Sequence, residues 1–186
     1  MAVSKSKMRE HFLTKRIGVL FGGWSREREI SLKSGSLVSS SLRRQGFQVV
    51  DVDVDRSLAQ VLLTQGVEVA FIALHGKPGE DGTIQGLLET LGIPYTGSGV
   101  LASALCLNKV MAKMVFQVRG IPTPEYRSPS LGEDLSQFAR SAAQELGLPV
   151  VVKPVEEGSS IGVKIIREGG GLESAIREAH DEYGAA

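Results

Sequence analysis

Cysteine is nearly absent. Cys106 stands alone in 186 residues, which excludes an intramolecular disulfide. Long apolar runs are missing as well, both a stretch able to span a bilayer and the apolar segment of a signal peptide at the start. The cytoplasm is therefore the expected compartment, and no membrane partner is expected. Neither charge is in excess, with 21 basic residues against 21 acidic ones, and nothing in that balance points to a nucleic-acid backbone. Small, specific ligands fit this profile better. Three common site motifs are also lacking. The turn Gly22-Gly23-Trp24-Ser25 stands where a dinucleotide fold carries its phosphate turn but does not read G-x-G-x-x-G, and neither a G-x-x-x-x-G-K-[ST] loop nor an H-E-x-x-H zinc pair occurs. There is no internal repeat and no low-complexity segment.

What is present is ordinary globular composition, 42% hydrophobic and 23% charged, in a length that suits roughly one to two domains. Residues 1–15 are polar and basic without periodicity, which predicts a flexible N-terminal extension with room for a short helix. Ile17 to Phe21 reads as a buried parallel strand ended by two glycines. A helix follows from about Arg26 to Arg44, with Ser25 as its N-cap and with Ile30, Ser34, Leu37, Val38, Ser41 and Leu42 on its apolar side. Phe47 to Val54 returns as a second strand and completes a right-handed βαβ unit. A helix over 58–65, a strand over 69–74 and helices near 84–91, 100–107 and 109–119 continue the pattern.

Gly120-Ile121-Pro122-Thr123-Pro124 interrupts it, because no helix crosses two prolines and a glycine. The expected architecture is α/β: a doubly wound, mostly parallel sheet domain over 16–121 and a second unit over 122–186. That second unit is predicted to hold a strand at 125–127, a helix at 135–146, strands at 149–153 and 161–167, and a helix at 172–183.

The stretch from His75 to Gly86, HGKPGEDGTIQG, follows the third strand, and open α/β sheets place ligands at that carboxyl edge. Its glycines permit positive φ or close approach, while His75, Glu80 and Asp81 bring titratable groups. His75 is either a ligand contact or a hydrogen-bonded structural histidine. Glu27, at a helix start above the same edge, either holds an ammonium group or complements the helix dipole. Asp51, Asp53 and Asp55 either reach a ribose or line a solvated strand edge. Lys153 to Gly162, KPVEEGSSIG, offers a lysine, converging backbone N–H groups and two hydroxyls. These suit phosphate, although a plain hairpin turn with surface serines has the same composition.

Four stretches carry a more specific signal: GVLFGGWSREREISLKSG (18–35), ALHGKPGEDGTIQGLLETLGIPYTGSGVLASAL (73–105), NK (108–109) and VVKPVEEGSSIGV (151–163). In this order and spacing the chain resembles the D-alanine-D-alanine ligases of the ATP-grasp superfamily, from Arg16 to about Gly184. The resemblance implies that residues 122–186 are the first part of an ATP-grasp α+β domain. It also implies ATP-dependent ligation of two D-alanines to the D-alanyl-D-alanine of peptidoglycan. In that reaction one carboxylate attacks the γ-phosphate to give an acyl phosphate, and the second amine displaces phosphate.

By resemblance Glu27 handles the ammonium of the first D-alanine, with His75 at the same subsite, and Ser159 joins Glu27 in a catalytic network. Lys109 and Lys153 meet the ATP phosphates, and Ser159 and Ser160 belong to the loop that closes on them. Phosphoryl transfer needs positive charge and N–H donors where negative charge develops, and an acyl phosphate must be kept from water. Glu80 and Asp81 then serve to fix their loop.

Asn108 stands where the family usually has aspartate and Trp24 where a smaller residue is common; altered capping and a crowded loop are expected. Family members continue well beyond Ala186, where the ligands for Mg2+ are expected, so no metal ligand is assigned to these residues and the chain alone is not expected to ligate. A homodimer through the N-terminal domain is expected, with apolar helices around Leu87 and Leu101 available for it. The alternatives are an inactive remnant or binding module that retains amino-acid recognition, and a related ligase that uses D-lactate or D-serine as acceptor.

Overall fold

The computed structural model describes residues 5–184, so the first four residues of the expected extension and the last two of the 122–186 segment lie outside the described residues. The chain divides into two compact units between Ala104 and Leu105. Unit one runs α1 (Lys5–Leu13), β1 (Arg16–Gly22), α2 (Arg28–Arg44), β2 (Gln48–Val54), α3 (Leu58–Thr64), β3 (Val69–Ile72) and α4 (Thr83–Leu91), and α5 (Val100–Leu107) begins in it. Helix α1 is the short helix for which the expected extension left room. Arg9 ties it down by donating to the Gln45 carbonyl at 2.8 Å and lying 5.7 Å from the centre of the Phe47 ring.

The sheet is parallel in the order β2-β1-β3, with Leu20 of β1 opposite Val52 and Ile72. Tyr95 adds a parallel bridge to Ala70 beyond β3. Adjacent residues of a strand point to opposite faces, and both faces of β1 are covered. Leu20 packs with Leu58, Leu62 and Leu88 of α3 and α4, while Phe21 lies directly against Gly35 of α2. Helices on both faces of a parallel sheet are the doubly wound arrangement expected from the alternating strand and helix signals.

The buried side of α2 differs from the expectation. Ile30 and Leu37 are 52% and 73% exposed, and the residues that meet the sheet are Ser31, Gly35 and Ser39. Small side chains let the helix approach closely, a requirement that a count of apolar residues does not register. Ser25 is not the N-cap either. Glu27 occupies that position, and the Ser25 hydroxyl accepts from the Glu27 N–H at 3.1 Å instead.

Ser31 has a specific task. Its fully buried hydroxyl accepts from Gly22 N–H and donates to the Ala73 carbonyl, both at 2.9 Å, which joins the ends of β1 and β3. Ser31→Ala would leave a buried donor and a buried acceptor unpaired, and is expected to lower unit-one stability by about 2 kcal/mol or more in denaturant titration. A cost within error of zero would remove this bridge from the account.

Unit two contains α6 (Lys109–Val118), α7 (Leu135–Leu146), β4 (Val150–Val152), β5 (Lys164–Ile166) and α8 (Leu172–Tyr183). Strands β4 and β5 are antiparallel with Val151 opposite Ile165. Phe138 and Ala142 of α7, Val152 of β4 and Ile176 of α8 form its core. Asp134 caps α7 by accepting from Gln137 N–H at 2.9 Å. The strand expected at 125–127 does not form. Two nearby prolines donate nothing to a ladder, and the Pro124 carbonyl is taken by Lys113.

The strand expected from 161 starts only at Lys164, because Ile161 and Val163 donate back to Gly158 and Ser160 and Gly162 turns at φ +66°. Among the described residues no single helix is long and apolar enough to cross a membrane.

Candidate functional site

In unit one the chain leaves β1 through Gly22 and Gly23, at φ +76° and +73°. A side chain on Gly22 would sit 2.0 Å from Asp53 Oδ1, so only glycine allows the next contact. Arg28 forks onto the Asp53 carboxylate at 2.7 and 2.6 Å and also donates to the Gly23 carbonyl at 2.9 Å. The Arg28 guanidinium holds the Asp53 carboxyl below the usual carboxylate range. Asp51 pairs with Arg43 at 2.8 Å, and Asp55 accepts from Ser57. These three aspartates form a paired, exposed strand edge, the second of the two readings open for them.

Glu27 and His75 meet at this edge. The Ser25 hydroxyl, which accepts from Glu27 N–H, donates to the His75 carbonyl at 2.7 Å, and the His75 ring reaches Ser34 Oγ through Nε2 at 3.0 Å. The Glu27 carboxylate lies over Gly76, where a Cβ would come within 3.1 Å of Oε2. Both residues are half-buried. A carboxylate held above bare backbone suits a small ammonium group.

Glu80 and Asp81 shape the loop. Glu80 accepts from Gly76 N–H at 2.8 Å and Asp81 from Thr83 N–H at 2.9 Å. Gln85 was not singled out, yet its buried side chain donates to the Gly79 carbonyl at 2.7 Å; a polar residue inside an apolar helix pattern was the available signal. Trp24 stands 51% exposed with the Arg56 guanidinium 5.6 Å from its ring centre.

In unit two, Lys109, Lys113 and Lys153 line a cavity of about 640 Å³ whose walls include Phe138, Val150 and Ile176. Lys109 Nζ donates to the Glu157 carbonyl at 2.7 Å and the Val155 carbonyl at 3.3 Å. Burial, and then the charge of Lys153, hold Lys109 below the usual lysine range. Lys113 is lowered by the same two causes in the same order. Its Nζ donates to Thr123 Oγ1 and the Pro124 carbonyl at 2.8 and 2.6 Å. Three lysines lining one cavity, two of them lowered by burial and by the charge of the third, favour an anion there.

Ser159 and Ser160 are exposed on the loop between β4 and β5, Ser159 at a positive φ of 52°. Asn108 keeps the cap of α6, its Oδ1 accepting from Met111 N–H at 3.0 Å, so the altered capping expected there does not occur. Sequence reasoning also passed over Val151 and Ile165. This cross-strand pair is 51% and 60% exposed beside Lys153, an apolar face suited to a flat ring. Among the described residues no group of three or more His, Cys, Asp or Glu could hold a metal ion. Glu27 and His75 thus belong to one unit, and Lys109, Lys153, Ser159 and Ser160 to the other.

Comparison with known proteins bears on both units. A family model described as D-ala D-ala ligase N-terminus matches residues 58–98, and one described as D-ala D-ala ligase C-terminus matches residues 115–184. The D-alanine–D-alanine ligase of Desulforudis audaxviator is 53% identical over 167 residues, covering 90% of this chain and 54% of that protein. The Geobacter sulfurreducens ligase is 53% identical over 171 residues, with 92% and 53% covered. This chain spans about half the length of the curated relatives it matches.

Among solved structures, the Bacillus anthracis D-alanine–D-alanine ligase complexed with ATP superposes with a TM-score of 0.78 at 35% identity, covering 91% of this chain and 56% of that one. The VanG D-Ala:D-Ser ligase of Enterococcus faecalis gives 0.70 at 29% identity, with 90% and 60% covered.

Proposed function

Because this chain belongs to the D-alanine-D-alanine ligase family, we propose that it works in the ATP-dependent joining of two D-alanines, with the first D-alanine held in unit one and the nucleotide in unit two. The observation that carries this reading is the convergence of Lys109, Lys113 and Lys153 on one cavity beside the loop after β4.

Glu27 accepts from the ammonium of the first D-alanine, and His75 stands at the same subsite. Lys109 and Lys153 hold the phosphates, and the Val151–Ile165 face takes the base. A carboxylate oxygen of the first D-alanine bonds to the γ-phosphorus as the bond to ADP breaks. The amine of the second D-alanine then bonds to the acyl carbon, phosphate leaves and the amine loses a proton. Positive charge gathered in advance at the transferring group lowers that barrier. Ser159 and Ser160 close over the phosphates.

Magnesium belongs to this chemistry in the family, but the described residues do not fit an ion, and no step here runs through one. The reading extends to peptidoglycan precursor synthesis in the cytoplasm and to a homodimer, for which Leu101, 72% exposed on α5, is available.

The test is D-alanine-dependent release of ADP and phosphate by protein of full family length, together with ATP binding by this chain. Lys153→Met should weaken ATP binding about tenfold or more. Glu27→Gln should raise the apparent KM for D-alanine about tenfold or more and leave ATP affinity unchanged. No phosphate release from the folded full-length protein would sink the ligase reading, and an unchanged KM would remove Glu27 from the site.

A further inference from the structure

Two residues at the start of α6 grip the loop that follows β4. Lys109 does so through its backbone N–H, which donates to the Val155 carbonyl at 3.0 Å, and through Nζ on the Val155 and Glu157 carbonyls. Asn108 adds a contact of another kind. Its Oδ1 is committed to Met111 N–H as the helix cap, which fixes the amide orientation and turns Nδ2 toward Glu156 Oε1 at 2.8 Å. One side chain therefore caps the helix and fastens the loop. An amide does both where a carboxylate cannot, because a carboxylate caps equally well but has no proton to donate.

The fastened loop leads directly into Gly158, Ser159 and Ser160. Glu156 is half-buried, as is Asn108, so the bond is shielded more than a surface pair. Ser159 sits at φ +52°, a backbone conformation that L side chains rarely adopt and that persists where the surrounding structure over-determines it. The tethers on residues 155–157 supply such constraint from one side. Gly162 supplies it from the other, since a Cβ there would meet Pro154 Cγ at 2.6 Å and Tyr183 Cε2 at 2.7 Å.

The geometry points to Asn108 as a positioning residue: its bond to Glu156 is a latch that holds the 156–160 loop in the conformation that presents its serines and N–H groups to a polyphosphate. This inference rests on the nucleotide reading of unit two. The latch orders the loop before the anion arrives, so less conformational entropy is lost on binding. Asn108 itself need not touch the ligand.

The experiment uses the 186-residue chain with ATP as the probe, and amide hydrogen exchange of residues 156–160 as a readout that needs no ligand. Asn108→Asp keeps the cap but sets two carboxylates against each other. It is expected to raise exchange in the loop about tenfold and to weaken ATP binding about tenfold, with the melting temperature of unit two little changed. Glu156→Gln in the Asn108→Asp background restores a donor and an acceptor in reversed order, and should return both readouts close to those of the parent.

Lowering the pH enough to protonate one of the facing carboxyl groups should repair the single variant, and not the parent, in the same way. Loop exchange in Asn108→Asp equal to that of the parent, or no rescue by the second substitution, overturns the latch. If exchange responds as expected while neither Asn108→Asp nor Lys153→Met changes ATP binding, the latch stands as a loop-ordering device, its role toward nucleotide is overturned and the nucleotide reading fails with it. Loss of binding in Lys153→Met alone would leave the nucleotide reading intact and remove Asn108 from it.

Discussion

Gly35→Ala should destabilise unit one by about 3 kcal/mol or more, although local propensity argues the other way. Glycine inside a helix costs roughly 0.5–1 kcal/mol relative to alanine, so in an isolated α2 the substitution would help. In the folded unit the added Cβ would stand 2.3 Å from Phe21 Cδ1 and 2.4 Å from both Cβ and Cγ of Phe21. Two of those atoms are the root of the side chain, which cannot swing aside unless β1 itself moves. Overpacking of this severity lies at or above the upper end of the usual range of about 1–3 kcal/mol, and it exceeds the propensity gain. Chemical denaturation measures the sum, and Phe21→Ala in the same chain should recover part of the loss by opening space. Stability at or above that of the parent would show that α2 can retreat from the sheet at little cost.

The same position explains what was and was not legible in the sequence. The strand and helix order of unit one was readable because glycines punctuate it clearly, at Gly22-Gly23 after an apolar run and at Gln45-Gly46 after a helix. The contact face of α2 was not, because Ile30 and Leu37 look like core residues and Ser31 and Gly35 do not. What selects the buried side is how closely the helix must approach Phe21, a distance that periodicity does not encode. In unit two the helices and the β4 strand were legible, whereas 125–127 reads as a strand only if a partner exists for it, and Lys113 holds Pro124 and its neighbour Thr123 in another way.

The candidate residues show the same division. Glu27, His75, Lys109, Lys153 and the two serines were picked out by motif and charge. Val151, Ile165, Lys113 and Gln85 were passed over, because what marks them is exposure and pairing across the fold. The double duty of Asn108 was invisible too, since Glu156 lies far away in sequence.

Lys109 carries the remaining large expectation. Its Nζ is partly buried, tethered to two carbonyls, and held below the ordinary lysine value of 10.5 by burial and by Lys153. The sign follows from linkage. A lysine lowered in the folded state makes the fold less stable while the ammonium is buried, and this cost disappears as pH rises through its lowered pKa toward 10.5. An anion at the cavity does the opposite, because it favours the ammonium and raises its pKa.

Stability from this group should therefore rise with pH in that window while affinity for ATP falls, and ATP binding there should take up protons. Calorimetric titration in two buffers of different ionisation enthalpy measures the uptake. Lys109→Met should reduce it, leaving the part due to Lys113, whose ammonium is lowered by the same causes. The same substitution should weaken ATP binding about tenfold to a hundredfold, since it removes both a charge from the cavity and two bonds that hold the loop after β4. Proton uptake unchanged by Lys109→Met would place the anion away from Lys109. Absence of uptake in the parent chain would mean that the convergence of the three lysines serves the fold alone.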